Sequence, residues 1–125
     1  MEDEKNQPGT AAVVEEFNDC ANRHDLAGLM ARMAEDIVFE NTFPPPDGTR
    51  YEGRNAVGAF WRDFFESSPG ARFEIEELVE AGIRCAVRWR YVWDERPNAK
   101  GYVRGIDLFR VENGKIVEKL SYVKG

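Results

Sequence analysis

The segment "VRGIDLFRVENG" (103–114) carries one residue suited to acid–base chemistry, Asp107, set among Val103, Ile106, Leu108, Phe109 and Val111. A carboxylate on a strand that is apolar on both sides costs free energy unless something pairs with it. Two readings follow. Asp107 is a structural carboxylate bonded to a hydroxyl, a backbone amide or Arg104. Alternatively it lines a closed pocket, either protonated and donating a hydrogen bond or ionised and acting as a base. Gly105, two residues earlier on the same face, leaves space beside the acid. Trp61, Trp89, Tyr91 and Trp93 are candidates for an aromatic ligand wall, with two of the four expected at the cavity and the others in plain core. The only histidine, His24, follows Arg23 in an interhelix turn and reads as a solvated residue. One histidine gives no basis for a His-rich zinc site or a facial triad. Cys20 and Cys85 lack a CxxC spacing and read as small buried apolar residues. With no nucleophile elbow, P-loop or dinucleotide fingerprint in the sequence, no cofactor and no metal are expected.

These side chains need elements to hold them. Residues 1–9 read as a disordered tail and 10–125 as a single domain. Thr10 is placed to N-cap a helix over 11–23, with Val13, Val14, Phe17, Cys20 and Ala21 at helical spacing. Asp25 can cap a second helix with Leu26, Leu29, Met30 and Met33 on its apolar side. "DIVFENTF" (36–43) reads as a strand, and "PPPDGTRYEG" as a loop, because successive prolines cannot donate to a ladder. A third helix, about 54–66, carries Val57, Phe60, Trp61, Phe64 and Phe65. Strands follow at 71–79, 83–94, 101–111 and 115–124, the last hairpin being marked by Asn-Gly.

Pairing about "AGI" sets Ile75 opposite Val87, Phe73 opposite Trp89 and Glu74 opposite Arg88. The next pairing sets Tyr91 opposite Gly105 and Trp89 opposite Asp107, so that Val103, Gly105, Asp107, Phe109 and Val111 face inward. Ile106 and Leu108 then face outward between Arg104 and Arg110, which implies a homodimer contact through the sheet. The element order predicts an α+β fold: a cone-shaped, curved antiparallel sheet wrapped around a long helix, with three N-terminal helices and an internal cavity.

At 125 residues the chain is long enough for one core, and its 42% hydrophobic and 12% aromatic content suits a globular protein. The formal net charge of −6 argues against nucleic-acid binding. No apolar run approaches the ~18 residues of a membrane helix, and the acidic "MEDEKNQPG" lacks a signal-peptide h-region. A cytoplasmic, reducing location without nucleic-acid or membrane partners is expected.

Three stretches, "HDLAGLMARMAEDIVFEN", "YEGRNAVGAFWRDFF" and "RGIDLFRVENGKIVEKLSYV", together resemble the nuclear transport factor 2-like superfamily in its SnoaL-like and ketosteroid-isomerase-like branch. The resemblance covers 10–124 and implies a cystatin-like α+β barrel with a deep pocket and frequent dimers. Members include isomerases, dehydratases, polyketide cyclases, epoxide hydrolases and non-catalytic binders, so fold alone does not assign function. The isomerase branch joins an Asp base to an oxyanion hole of Tyr and protonated Asp. By resemblance its oxyanion Asp falls on Asp107, its base on Asn41 and its Tyr on Phe17. Asn41 cannot accept a proton and Phe17 cannot donate a hydrogen bond, so that reaction is not expected here. Glu40, next to Asn41, points to the opposite face. The epoxide hydrolase Asp matches Ser121, and the proposed cyclase base carries over to Asp107.

The last strand has two possible phases. A tight Asn-Gly turn sets Ile116, Glu118, Leu120 and Tyr122 inward, whereas the resemblance sets Val117, Lys119, Ser121 and Val123 inward by way of a bulge. The second phase is the one expected, because Leu120 and Tyr122 then join Ile106 and Leu108 in the outer apolar patch, and in it Lys119 can pair with Asp107 and hold it ionised. The segment from Phe43 to Thr49 is either a lid or a rigid turn. Three functions fit these expectations: proton transfer through Asp107 on an apolar, carbonyl-bearing or polycyclic substrate, with Asn41 and Ser121 orienting it; binding of a small apolar ligand without chemistry; or a dimeric interaction module with no usable pocket.

Overall fold

The computed structural model describes residues 9–94, 96 and 101–124. The expected tail lies outside the described residues except for Gly9, as does most of the "DERPNAKG" loop. Helices α1 (Thr10–Asn22) and α2 (Leu26–Ala31) precede strands β1 (Met33–Glu40) and β2 (Arg50–Glu52). Helix α3 (Arg54–Ser67) leads into β3 (Arg72–Ala81), β4 (Arg84–Asp94), β5 (Gly101–Glu112) and β6 (Lys115–Val123). The fold is α+β, with three helices and a curved, unclosed six-stranded sheet in the order β2-β1-β6-β5-β4-β3.

The sheet is mixed rather than antiparallel. β3 to β6 form the expected meander, but β1 lies parallel to β6. No hairpin joins those two strands, so nothing in the local turns imposes an antiparallel direction. β2 sits inside the segment read as loop, pairing Tyr51 with Phe39 and Arg50 with Glu40. β1 begins at Met33, which is buried in the strand rather than on the apolar side of α2.

Helix α1 presents Val13, Val14, Phe17, Cys20 and Ala21 to the sheet. Its N-cap is Gly9, not Thr10; the Thr10 hydroxyl donates to the Gly82 carbonyl at 2.7 Å, tying the helix start to the β3–β4 turn. Asp25 caps α2 as expected, its carboxylate accepting from Gly28 N at 2.9 Å. Both cysteines are buried, and burial pushes the Cys85 thiol up to about 11.

Two registers are shifted from expectation while the inward faces survive. Phe73 opposes Tyr91, Ile75 opposes Trp89 and Glu74 opposes Arg90, with a bulge between Ile75 and Glu77. Val87 opposes Asp107 and Trp89 opposes Gly105. A slip of two residues returns each side chain to the same face, because strand side chains alternate with period two. Ile83 and Trp93 were expected inward but are exposed, one at the turn and one near the strand end. Ile75, expected with Phe73 in the core, lies exposed on the edge strand.

Candidate functional site

β6 uses both phases in succession. Asn113 and Gly114 take positive φ at the turn, Val111 pairs with Ile116, and Ile116 is fully buried. One extra residue, Val117, then intervenes before Arg110 pairs with Glu118. This bulge reverses the phase, so Lys119 lands between Phe39 of β1 and Phe109 of β5, and Ser121 lands opposite Asp107. Lys119 and Asp107 are thus diagonal neighbours on the inner face.

Both side chains are buried, Asp107 at 6% and Lys119 at 7% exposure. Lys119 Nζ lies 3.3 Å from Asp107 Oδ2 and donates to Ser121 Oγ at 3.0 Å. The same ammonium sits 4.5 Å from the Phe39 ring centroid, a cation–π contact in apolar surroundings. Arg104, one of the partners considered for Asp107, instead binds Glu76 at 3.3 Å.

A cavity of about 420 Å³ opens beside this pair. Asp107, Lys119, Ser121 and Asn41 supply its polar wall, and Trp61, Trp89 and Tyr91 supply aromatic wall, three of the four aromatics considered rather than two. Asp107 Oδ1, Trp61 Nε1 and Trp89 Nε1 are buried with no hydrogen-bond partner among the described residues. Phe43 and Thr49 place the Pro-rich segment at the mouth. Asn41 organises that segment: its Oδ1 accepts from Thr49 N at 2.8 Å and Phe43 N at 3.2 Å. Gly48, at φ +76, packs so closely there that a Cβ would meet the Asn41 carbonyl.

Two expected site residues do not line the cavity. Phe17 is 1% exposed and packs edge-on against Trp61 and Phe109, behind the wall. Gly105 leaves room for the Trp89 ring, which a Cβ would strike, rather than for a ligand beside the acid. Sequence reasoning missed Phe39, Tyr51 and Phe73 as wall residues, and placed Phe60 and Phe64 only on a helix face. The i,i+4 spacing of Phe60 and Phe64 was the available signal, but it does not distinguish cavity wall from filled core. His24 stacks on Phe65 at 4.7 Å, away from the cavity wall. Among the described residues no cluster of potential metal ligands occurs, and no helix is long and apolar enough to cross a membrane.

The outward faces of the same strands hold Ile106 opposite Tyr122 and Leu108 opposite Leu120. Ile106, Leu108 and Tyr122 are exposed, as the inward–outward alternation requires.

The chain belongs to the SnoaL-like domain family, whose model matches residues 14–119. A crystal structure of an NTF2-like protein of unknown function from Mesorhizobium loti is 44% identical, with TM-score 0.79 and coverage of 93% of this chain and 91% of that one. A provisionally named ketosteroid isomerase from Kribbella flavida shares the fold at 19% identity and TM-score 0.77, covering 93% of this chain and 78% of its own. A SnoaL-like protein of unknown function from Burkholderia thailandensis is 24% identical, with TM-score 0.73 and coverage of 90% and 92%. No curated protein matches the chain.

Proposed function

We propose that this protein encloses a small apolar molecule, carbonyl-bearing or polycyclic, in the cavity and moves a proton on it through Asp107. The observation that carries the reading is the buried carboxylate on the wall of a 420 Å³ aromatic cavity, 3.3 Å from an ammonium. In this reading Asp107 is the base and Lys119 its ion-pair partner. Ser121 reaches it only through Lys119, and Asn41 holds the mouth loop while facing the same space. Asp107, Lys119, Ser121 and Asn41 on an otherwise largely aromatic wall support an occupant with polar groups as well as an apolar body. In this reading the sheet wraps α1 as a cone, and the Phe43–Thr49 segment covers its open end.

A second reading, a binder that returns its ligand unaltered, is favoured by Asn41 and Phe17 standing where the isomerase resemblance places a base and a hydrogen-bond donor. An interaction module with a filled core is disfavoured by the cavity itself. The outer row of Ile106, Leu108, Leu120 and Tyr122 supports a homodimer through the sheet, which light scattering of the wild type against Leu108→Lys tests: loss of the dimer in the variant is expected, and a monomeric wild type contradicts it. Mass spectrometry of molecules extracted from purified protein, before and after incubation, tests the main reading. A changed occupant in the wild type and an unchanged one in Asp107→Asn is expected; identical turnover in both would sink it.

A further inference from the structure

We propose that Lys119 is an amine nucleophile that condenses reversibly with an aldehyde or ketone group of the cavity's occupant to form an imine. The inference rests on reading the cavity as a small-molecule site and assigns that occupant a reactive carbonyl. Among the described ion pairs, every other one uses arginine, including those of Arg88, Arg90 and Arg104 with glutamates on β3. The pair facing the cavity uses lysine. Arginine keeps its proton and suits a fixed ion pair, whereas an amine can release one and attack a carbon.

The surroundings fit that chemistry. Rings of Phe39, Trp61 and Phe109 lie 4.5, 5.6 and 5.8 Å from Nζ, an apolar setting that the body of an aldehyde or ketone can share. Asp107 Oδ2, at 3.3 Å, can take the ammonium proton, so the free amine forms inside the pair with no change in net charge. The nitrogen lone pair then attacks the carbonyl carbon. The C–N bond forms, the C=O π pair moves to oxygen, and that oxygen takes the proton held by Asp107. The nitrogen proton passes to the carboxylate and on to the hydroxyl, the C–O bond breaks, and water leaves a C=N bond. Asp107 ends ionised, as it began.

Naphthaldehyde with cyanoborohydride tests this on the full chain, because hydride addition to the imine carbon fixes a naphthylmethyl group on nitrogen. The chain has few lysines, Lys5, Lys100, Lys115, Lys119 and Lys124, so peptide mapping assigns the site. We expect the adduct on Lys119 before the others, its suppression by excess naphthylmethanol, and roughly a hundredfold slower trapping in Asp107→Asn. Quenching of Trp61 and Trp89 fluorescence by naphthylmethanol reports cavity binding separately. Binding without a Lys119 adduct overturns the imine and leaves the pocket reading standing. Absence of both binding and adduct overturns both.

Discussion

The interior covered by the sheet has a packed end and a hollow end, and Lys119 stands at their border. In the packed end Phe17, Phe109, Leu29, Met33, Ile37 and Ile116 are all essentially unexposed, and Phe17 meets Phe109 edge-on at 5.9 Å. In the hollow end Trp89, Tyr91, Phe73 and Phe64 also touch ring to ring, yet they surround about 420 Å³ of open space. Both ends are rich in aromatics, so composition does not separate them. The charged pair does: Asp107 and Lys119 lie where dense packing gives way to a wall.

The largest expected contrast comes from truncating one ring at each end. Phe109→Ala should lose about 3–5 kcal/mol in urea unfolding, because it removes a fully buried side chain from dense neighbours. Tyr91→Ala should lose only about 1 kcal/mol, because its ring already borders open space. Equal losses would erase the distinction between the ends. Next in size is the border pair. Lys119→Met alone should cost about 3 kcal/mol by leaving Asp107 buried without a counter-charge, whereas adding Asp107→Leu should restore most of that loss. A double variant as unstable as the single one would contradict this account of the pair.

Gly105→Ala should cost about 1–3 kcal/mol and shift the tryptophan emission, since the new methyl group is forced against the Trp89 ring and the Tyr122 carbonyl. An unshifted emission would detach Trp89 from its support on β5. The smallest effect belongs to the outer face, where hydrogen bonding from Arg72, with Arg90 adding to it, holds the Glu74 carboxyl below the usual range. A lowered folded-state value means a stabilisation present above the unfolded-state value and lost as pH falls through the folded one. Glu74→Gln should therefore be slightly less stable than wild type near neutrality, and the difference should vanish in acid. A difference that persists in acid would assign it to packing.

Much of this arrangement was legible from alternation and turn chemistry. Asp107, Phe109 and Val111 point inward as their period-two pattern demands, and Asn113-Gly114 makes the expected turn. Bulges were harder to read. The extra residue at Val117 has no type that marks it, and it decides whether Lys119 or Leu120 enters the core. The bulge after Ile75 and the short turn at Gly82 moved the β3–β4 register, and an irregularity between Val92 and Asp94 accompanies the moved β4–β5 register, neither turning its strands over. The parallel contact of β1 with β6 joins residues about eighty positions apart, beyond any local pattern. Phe17 and Phe60 carry the same side chain, yet only Phe60 meets the cavity, because that depends on what the neighbouring helices leave unfilled.

The proposed function requires the Asp107–Lys119 pair to face space that a small molecule can occupy. The direct measurement is a crystal structure of the protein soaked with naphthylmethanol. Density is expected between Trp89 and Tyr91, with the hydroxyl within hydrogen-bond distance of Asp107. Density confined to the outer surface, or side chains collapsed across an unoccupied interior, would contradict it.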